Sequence, residues 1–265
     1  MASNDEDFLL LVRPIGAPPA APRVAFVFVH GGHGDSKTTW TNKSTYWPTL
    51  VPQDPAIGNV AVFAYDYASP KFSEALPVDD LSRAFRGRLE QANLPGYDKI
   101  VIVLHSLGGP LVRQFLVDDA AQGGKYLQKI PLVFSCAAAY RGSKVPEDLV
   151  KLGSQNPQFK QVEIDSPYLT HLNQQWNLLR GSRSPATQQR PYVLSVRFEK
   201  DSVNSKESAE ESTDSLDAFP ANLKGGLEAA TGPTAHTSIC KPDGLDFPSH
   251  QLLRKAYNKL VTPAA

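Results

Sequence analysis

Cysteine is scarce in this chain: its 265 residues include only Cys136 and Cys240. Two cysteines are too few for the disulfide framework of a small secreted protein, so we expect a reduced, cytoplasmic setting. An excess of charge of one sign is also missing, since 27 basic residues balance 27 acidic ones. The basic residues are scattered, which argues against a nucleic-acid partner.

Long apolar runs, targeting signals and metal motifs are absent as well. No run approaches the ~18 apolar residues of a membrane-spanning helix. The acidic start, residues 1–7, lacks the positive region and apolar core of a signal peptide. No group of histidine, cysteine and acidic residues has metal-ligand spacing. These absences predict a soluble protein without a metal, and they leave its oligomeric state open.

What the sequence does have is a series of apolar, β-prone runs that alternate with helical patterns. A continuous apolar run such as Val24–Val29 is typical of a strand buried on both faces of a parallel sheet. The predicted strands are Phe8–Val12 at an edge, Val24–Val29, Val60–Tyr65, Lys99–Leu104, Ile130–Ser135, Tyr192–Phe198 and a weaker Gly226–Thr231. The predicted helices are Asp79–Asn93, Leu107–Ala121, Tyr168–Leu179 and His250–Leu260.

This alternation predicts a single α/β domain over residues 1–265, with a mostly parallel central sheet flanked by helices. The stretch Ser143–Arg190 is long for a connection between two strands. We interpret it as a partly helical, cap-like insertion beside the active site.

Ser106 is the candidate nucleophile. It follows the predicted strand Lys99–Leu104 directly and precedes a predicted helix, in the sequence His-Ser-Leu-Gly-Gly. A serine at such a sharp strand-to-helix turn is held above the sheet, where its hydroxyl can attack a substrate. Leu104 replaces the first glycine of the usual G-x-S-x-G pattern, which predicts a local shift. The alternative role for this serine is an ordinary helix N-cap.

A glycine-rich turn after the first buried strand supplies the candidate oxyanion hole. His30-Gly-Gly-His-Gly34 matches the turn that places a backbone N–H against the substrate carbonyl in lipases and esterases. We predict the backbone N–H groups of Gly32 and Leu107 as the two donors. The alternative is a phosphate-binding loop at residues 31–38, but Ser36 stands where the Walker pattern requires glycine before Lys37.

Chain order selects the candidate base, since the triad on such a sheet runs serine, acid, histidine. His171, His236 and His250 follow Ser106. His171 precedes the expected acid, and His250 opens the last helix, where we expect a surface or capping residue. His236 lies in a loop that can reach the nucleophile, so it is the predicted base.

The acid should leave the end of the strand Tyr192–Phe198. Asp201 is the predicted acid, with Glu199 as the alternative and Asp165 as a more distant one. The carboxylate would accept the imidazole N–H and stabilise the imidazolium formed during attack. His33, Tyr65 and Tyr140 are candidate substrate-binding residues, although strand-end aromatic residues more often serve only in packing.

Four patches together resemble a known group of proteins. They are Val27–Gly32 with Trp40 and Trp47-Pro48 downstream, Val62–Tyr67, His105–Gly109, and His236–Pro242. Over roughly residues 24–242 the chain resembles the serine esterase and lipase branch of the α/β-hydrolase superfamily that is related to GPI-inositol deacylases and NACHT-associated hydrolase domains. The resemblance implies the α/β-hydrolase fold and esterase, lipase or deacylase activity without a cofactor.

These features predict a serine hydrolase that cleaves a carboxylic ester, with a lipid ester among the candidate substrates. Two alternatives stay open: a non-catalytic binding protein on the same scaffold, and an acyltransferase or peptidase with the same triad. The expected partner is a small-molecule or lipid ester substrate, with no integral membrane segment.

Overall fold

A computed structural model describes residues 8–12, 23–70, 75–142, 156–181, 192–196 and 236–261. Eight strands lie in these ranges. They are β1 (Phe8–Val12), β2 (Val24–Val29), β3 (Thr41–Asn42), β4 (Thr45–Tyr46), β5 (Ala61–Asp66), β6 (Lys99–His105), β7 (Leu132–Cys136) and β8 (Tyr192–Val196).

Six of these strands form one sheet in the order β1-β5-β2-β6-β7-β8. Strands β5, β2, β6, β7 and β8 pair in parallel, and β1 pairs antiparallel with β5 at the edge. Strands β3 and β4 form a separate two-stranded hairpin. The predicted mostly parallel sheet and its edge strand are therefore confirmed, whereas the weaker strand Gly226–Thr231 lies outside the described residues.

The helices follow the strands in the predicted alternation. They are α1 (Trp47–Leu50), α2 (Val78–Gln91), α3 (Gly108–Ala121), α4 (Pro157–Gln161), α5 (Pro167–Gly181) and α6 (Pro248–Leu260). Short 3-10 turns occur at Thr38–Trp40, Val51–Gln53, Leu94–Gly96, Leu127–Lys129 and Ser238–Cys240. The four predicted helices are confirmed with shifted ends, and the short α1 and α4 were not predicted.

Strand β2 shows how the core is divided between the two sheet faces. Successive side chains of a strand point to opposite faces. Val27 and Val29 accordingly belong to a buried cluster with side chains of α2, α3 and α5, while Phe26 and Phe28 belong to another with side chains of α1 and α6. Helices thus cover both faces, as the continuous apolar run predicts.

The segment between β7 and β8 includes part of the predicted cap. Its described part contains α4 and α5, and α5 packs against α3, the helix that follows β6. None of the helices that the structure describes is both long and apolar enough to cross a membrane.

Candidate functional site

Ser106 lies at the junction of β6 and α3 with a backbone φ of +47°. L-residues other than glycine rarely adopt this left-handed conformation, and where they do the surrounding structure must hold them there. Three backbone hydrogen bonds do so: the Ser106 N–H donates to Cys136 O at 3.1 Å, and Ser106 O accepts from Gly109 and Ala139. The predicted strand-to-helix turn is present, with Ser106 half-buried at its apex.

The two glycines after this turn allow α3 to approach the sheet. A Cβ atom at Gly108 would lie 2.7 Å from Val29 O and 2.8 Å from His30 O. A Cβ atom at Gly109 would lie 2.5 Å from the Ala138 Cβ. Leu104, which replaces the usual first glycine, is fully buried in the cluster on the α3 face. The turn therefore keeps its positive φ even with leucine at that position.

The glycine-rich turn lies directly against Ser106, the predicted nucleophile. A Cβ atom at Gly31 would be 2.8 Å from both the Ser106 Cβ and His105 Nδ1. The backbone of this loop is held by His33, whose N–H donates to Ser69 O, and by Gly34, whose N–H donates to Gly31 O. No described group accepts a hydrogen bond from the N–H of Gly32 or of Leu107. Both predicted donors thus remain available to a substrate oxygen.

His30 holds the first residues of the glycine-rich turn in place. Its buried ring stacks on Tyr67 at 4.0 Å, its Nδ1 donates to Gly31 O, and its own carbonyl accepts from the Tyr67 hydroxyl. Asp66 lies beside the ring and accepts hydrogen bonds from the N–H and the hydroxyl of Ser36. Burial on its own raises the pKa of Asp66, but the contacts with His30 and Ser36 outweigh it and lower that pKa.

The alternative phosphate loop is not supported by the geometry of residues 31–38. The carboxylate of Asp35 accepts hydrogen bonds from the N–H groups of Lys37 and Thr38, the groups that a phosphate would need. Burial raises the pKa of Asp35, and these hydrogen bonds together with one from the Thr38 hydroxyl lower it below its usual value. The Asp35 carboxylate therefore occupies the position that a bound phosphate would take.

His236, the predicted base, lies next to the turn that contains Ser106. Its ring is 4.9 Å from the ring of His105, the residue that precedes Ser106, and its carbonyl oxygen is 3.1 Å from His105 Nε2. The chain after His236 is anchored by hydrogen bonds to the β3–β4 hairpin and the 3-10 turn before it. They join Asn42 to Lys241 O, Thr45 to Asp243 O, Lys241 to Thr38 O, and Cys240 to Thr39 O.

Neither Asp201 nor Glu199 belongs to the described residues. Asp165, the more distant candidate acid, is exposed in the turn before α5. His171 is exposed on α5. Among the residues that the structure describes, no group of three or more histidine, cysteine or acidic side chains is arranged to hold a metal ion.

The three candidate substrate-binding residues lie in different environments. His33 is exposed at the glycine-rich turn, where its ring tilts against Phe159 at 4.4 Å. Tyr140 is buried beside the start of α3, under the guanidinium of Arg113 at 3.8 Å. Tyr65 is fully buried and packs against Phe85, which favours the packing role considered for it.

The family comparison agrees with this geometry. The alpha/beta hydrolase family matches residues 26–242, which is more than half of the chain. The chain belongs to the alpha/beta hydrolase family. This assignment covers the Ser106 turn, the glycine-rich turn and His236, and it supports hydrolase chemistry. A comparison with curated proteins gave no match.

Solved structures share the fold of this alpha/beta hydrolase at low sequence identity. The lipase BlEst2 of Bacillus licheniformis in its mature form has a TM-score of 0.57 at 14% identity, with coverage of 97% of this chain and 98% of that chain. Its propeptide form has a TM-score of 0.61 at 15% identity, with coverage of 97% and 54%. A lipase-esterase related protein from Clostridium acetobutylicum has a TM-score of 0.51 at 10% identity, with coverage of 96% and 99%.

His250 of this alpha/beta hydrolase has a different role from the one expected. It is not a surface or capping residue, because its side chain is fully buried. Trp47 Nε1–H donates to its Nδ1 at 3.0 Å. Its Nε2 lies 2.9 Å from Asp54 Oδ2. An N–H that donates to Nδ1 requires a neutral ring, so Nε2 carries the proton. Burial lowers the pKa of His250 and exceeds the opposite effect of Asp54.

Helix α4 contributes contacts that sequence patterns did not indicate. The buried amide of Gln158 bonds to the Ser69 hydroxyl at 2.6 Å and to the carbonyls of Ala68 and Leu76. This anchor places Phe159 against the glycine-rich turn, since a Cβ atom at Gly32 would lie 3.1 Å from its ring. The only local signal is Asn156-Pro157, a cap and first-turn pair that marks a helix start.

Both cysteines are buried free thiols. Burial raises the pKa of Cys240 to about 12 and that of Cys136 well above its usual value. A thiol is nucleophilic only as the thiolate. The cysteines therefore act as small core residues beside the site.

Proposed function

We propose that this alpha/beta hydrolase cleaves a carboxylic ester through an acyl-enzyme formed on Ser106. The observation that supports this most directly is the positive φ of Ser106 at the β6–α3 junction, with the glycine-rich turn against it. An ordinary N-cap serine has an extended backbone and needs no such neighbour. A left-handed serine with a glycine at contact distance is what an exposed nucleophile beside an oxyanion hole requires.

In the proposed reaction, the Ser106 oxygen attacks the acyl carbon while His236 takes the hydroxyl proton. The substrate carbonyl oxygen becomes an oxyanion, which accepts hydrogen bonds from the N–H groups of Gly32 and Leu107. Asp201 accepts the other imidazole N–H and stabilises the imidazolium. His236 then gives its proton to the leaving alcohol oxygen as the carbon–oxygen bond breaks.

The second half of the reaction repeats these steps with water. His236 takes a proton from a water molecule, whose oxygen attacks the acyl carbon of the Ser106 ester. The second oxyanion uses the same two donors and collapses to release the carboxylic acid. Ser106 recovers its proton from His236, which restores the starting state.

The border of the glycine-rich turn is partly apolar. A Cβ atom at Gly32 would lie 3.1 Å from the Phe159 ring, and 3.8 Å from both the Leu107 side chain and the Ser69 Oγ. A lipid ester therefore stays among the proposed substrates, and an ester series of rising chain length tests it.

Three further points remain our proposals. Residues 1–265 form one domain with a cap-like insertion at about residues 143–190, which is supported by α4 and α5 lying between β7 and β8. The chain belongs to the branch related to GPI-inositol deacylases, which is supported by its His236–Pro242 loop. The protein acts in the cytoplasm, which is supported by its buried free thiols.

The experiment is active-site labelling with a fluorophosphonate probe, followed by ester turnover. Wild-type protein and Ser44→Ala, a control in the exposed turn between β3 and β4, should react, whereas Ser106→Ala should not. Folded wild-type protein that reacts neither with the probe nor with p-nitrophenyl esters of two to twelve carbons would contradict the proposal. It would favour the non-catalytic scaffold, and mass analysis of products would separate hydrolysis from acyl transfer or peptide cleavage.

A further inference from the structure

His105 lies between Ser106, the glycine-rich turn and His236. It is the last residue of β6, its side chain is buried, and its Nε2 lies 3.1 Å from the carbonyl oxygen of His236. A carbonyl oxygen can only accept a hydrogen bond, so His105 Nε2 carries the proton and donates it. The direction of this bond fixes which nitrogen of His105 holds hydrogen.

The opposite edge of the His105 ring faces the glycine-rich turn. His105 Nδ1 would lie 2.8 Å from a Cβ atom at Gly31, the same distance as the Ser106 Cβ. The Trp40 ring lies edge-on to it at 6.5 Å. The imidazole is therefore confined on one side by the turn that contains Gly32 and on the other by the backbone of His236.

The chain after His236 is anchored at several points. Thr237 O accepts from the Cys240 thiol, and Ile239 O accepts from the Ser249 hydroxyl. The contacts with the β3–β4 hairpin and the 3-10 turn before it act further on, at residues 240–243. The bond from His105 acts on the peptide group of His236. Because His105 precedes Ser106 directly in the chain, this bond joins the base to the rigid strand end that holds the nucleophile.

We propose that His105 is a positioning residue that sets the distance between the His236 ring and the Ser106 hydroxyl through its Nε2–H bond to the His236 carbonyl. This inference rests on the proposed function, since it assumes that Ser106 and His236 react together. Displacements of about 1 Å in such a pair can reduce turnover by ~10²-fold, because proton transfer needs the two groups within hydrogen-bond reach.

The test compares His105→Gln with His105→Asn. The glutamine amide nitrogen reaches about as far as imidazole Nε2, whereas the asparagine amide nitrogen reaches only as far as Nδ1. His171→Ala, at an exposed position on α5, is the control for loss of a histidine outside the site. Each variant is assayed for kcat and KM with p-nitrophenyl butyrate, for the rate of fluorophosphonate labelling and for its melting temperature.

We expect His105→Gln to keep kcat within about fivefold of wild type and His105→Asn to lose about 10- to 100-fold, with KM changed by less than about threefold in both. The labelling rate should fall in parallel with kcat. Equal kcat values for the two variants, whether high or low, would overturn the proposal. A merely structural role would not depend on how far the amide nitrogen lies from the backbone. Both variants keep a polar amide, so comparable melting temperatures are expected.

The proposed function and this inference fail in different ways. Wild-type protein that does not react with the probe contradicts the proposed function. Reactive wild-type protein with equally active glutamine and asparagine variants contradicts only the role of His105.

Discussion

A pair of glycine-to-alanine substitutions should change stability in opposite directions, because the two glycines differ in the space around them. Gly108 begins α3, and its missing Cβ would lie 2.7 Å from Val29 O and 2.8 Å from His30 O. Both oxygens are backbone atoms at the end of a central strand. Gly87 lies inside α2, where an added Cβ would meet no described atom within 4 Å.

The magnitudes follow from these distances. An ordinary carbon–oxygen contact is about 3.3 Å or longer, so Gly108→Ala requires a shift of roughly 0.5 Å between α3 and β2. Overpacking of this size costs about 1–3 kcal/mol, and the better helix propensity of alanine offsets up to ~1 kcal/mol. Gly87→Ala gains that propensity without the clash. We expect a net loss of about 1–2 kcal/mol for Gly108→Ala and a gain of about 0.5–1 kcal/mol for Gly87→Ala.

Urea denaturation at constant pH, followed by circular dichroism, gives both values on the same scale. The thermal midpoints should separate by several degrees, since 1 kcal/mol corresponds to about 2–4 °C in a chain of this size. Gly108→Ala should also reduce probe labelling of Ser106, because the shift moves the neighbouring Leu107 N–H. A Gly108→Ala protein as stable as Gly87→Ala would refute the claim that the α3 start has no room for a side chain.

The remaining predictions concern pH, the thiols and the glycine-rich turn. The unfolding free energy should fall as the pH drops from 7 to 5, because folding lowers the pKa of His250 and the unfolded histidine binds a proton below about pH 6.5. In urea titrations of His250→Gln, the unfolding free energy should depend less steeply on pH over this interval, by at most about 1.4 kcal/mol per pH unit. An unchanged pH dependence would assign the effect to other groups. Native protein should leave Ellman's reagent unreacted while urea exposes two thiols per chain, since the pKa of Cys240 is about 12; fast reaction of the folded form would contradict its burial. Gly32→Ala should lower kcat by about 10- to 100-fold, because its methyl group would lie 3.1 Å from Phe159. Adding Phe159→Ala should recover part of that loss, and no recovery would mean that the ring does not restrict the turn.

The parts of the fold and site that sequence analysis predicted depend on local patterns. The turn that contains Ser106 was predicted because an apolar strand, a serine and two glycines are adjacent in the chain. The glycine-rich turn was identified for the same reason. Even Leu104, which departs from the usual pattern, did not obscure the turn, since the strand and helix around it keep their own periodicity.

The parts that were missed depend on partners distant in the chain. Asp54 and His250 are separated by 196 residues, and no local pattern indicates that they are paired. The same applies to Gln158, whose hydrogen-bond partners lie 82 to 90 residues earlier. His250 was expected at the surface because its position at a helix start is compatible with capping, and the buried indole of Trp47 that decides its role is 203 residues away.

The long separation between Asp54 and His250 has a consequence for how this chain is made. While the ribosome extends the polypeptide, the carboxylate of Asp54 must stay hydrated until α6 has emerged, because its imidazole partner comes from that helix. The sheet face that α6 covers also stays open until then. Nascent chains that stop before α6 should therefore expose Phe26, whose ring packs against Tyr257 of that helix, and bind chaperones until the last helix has docked.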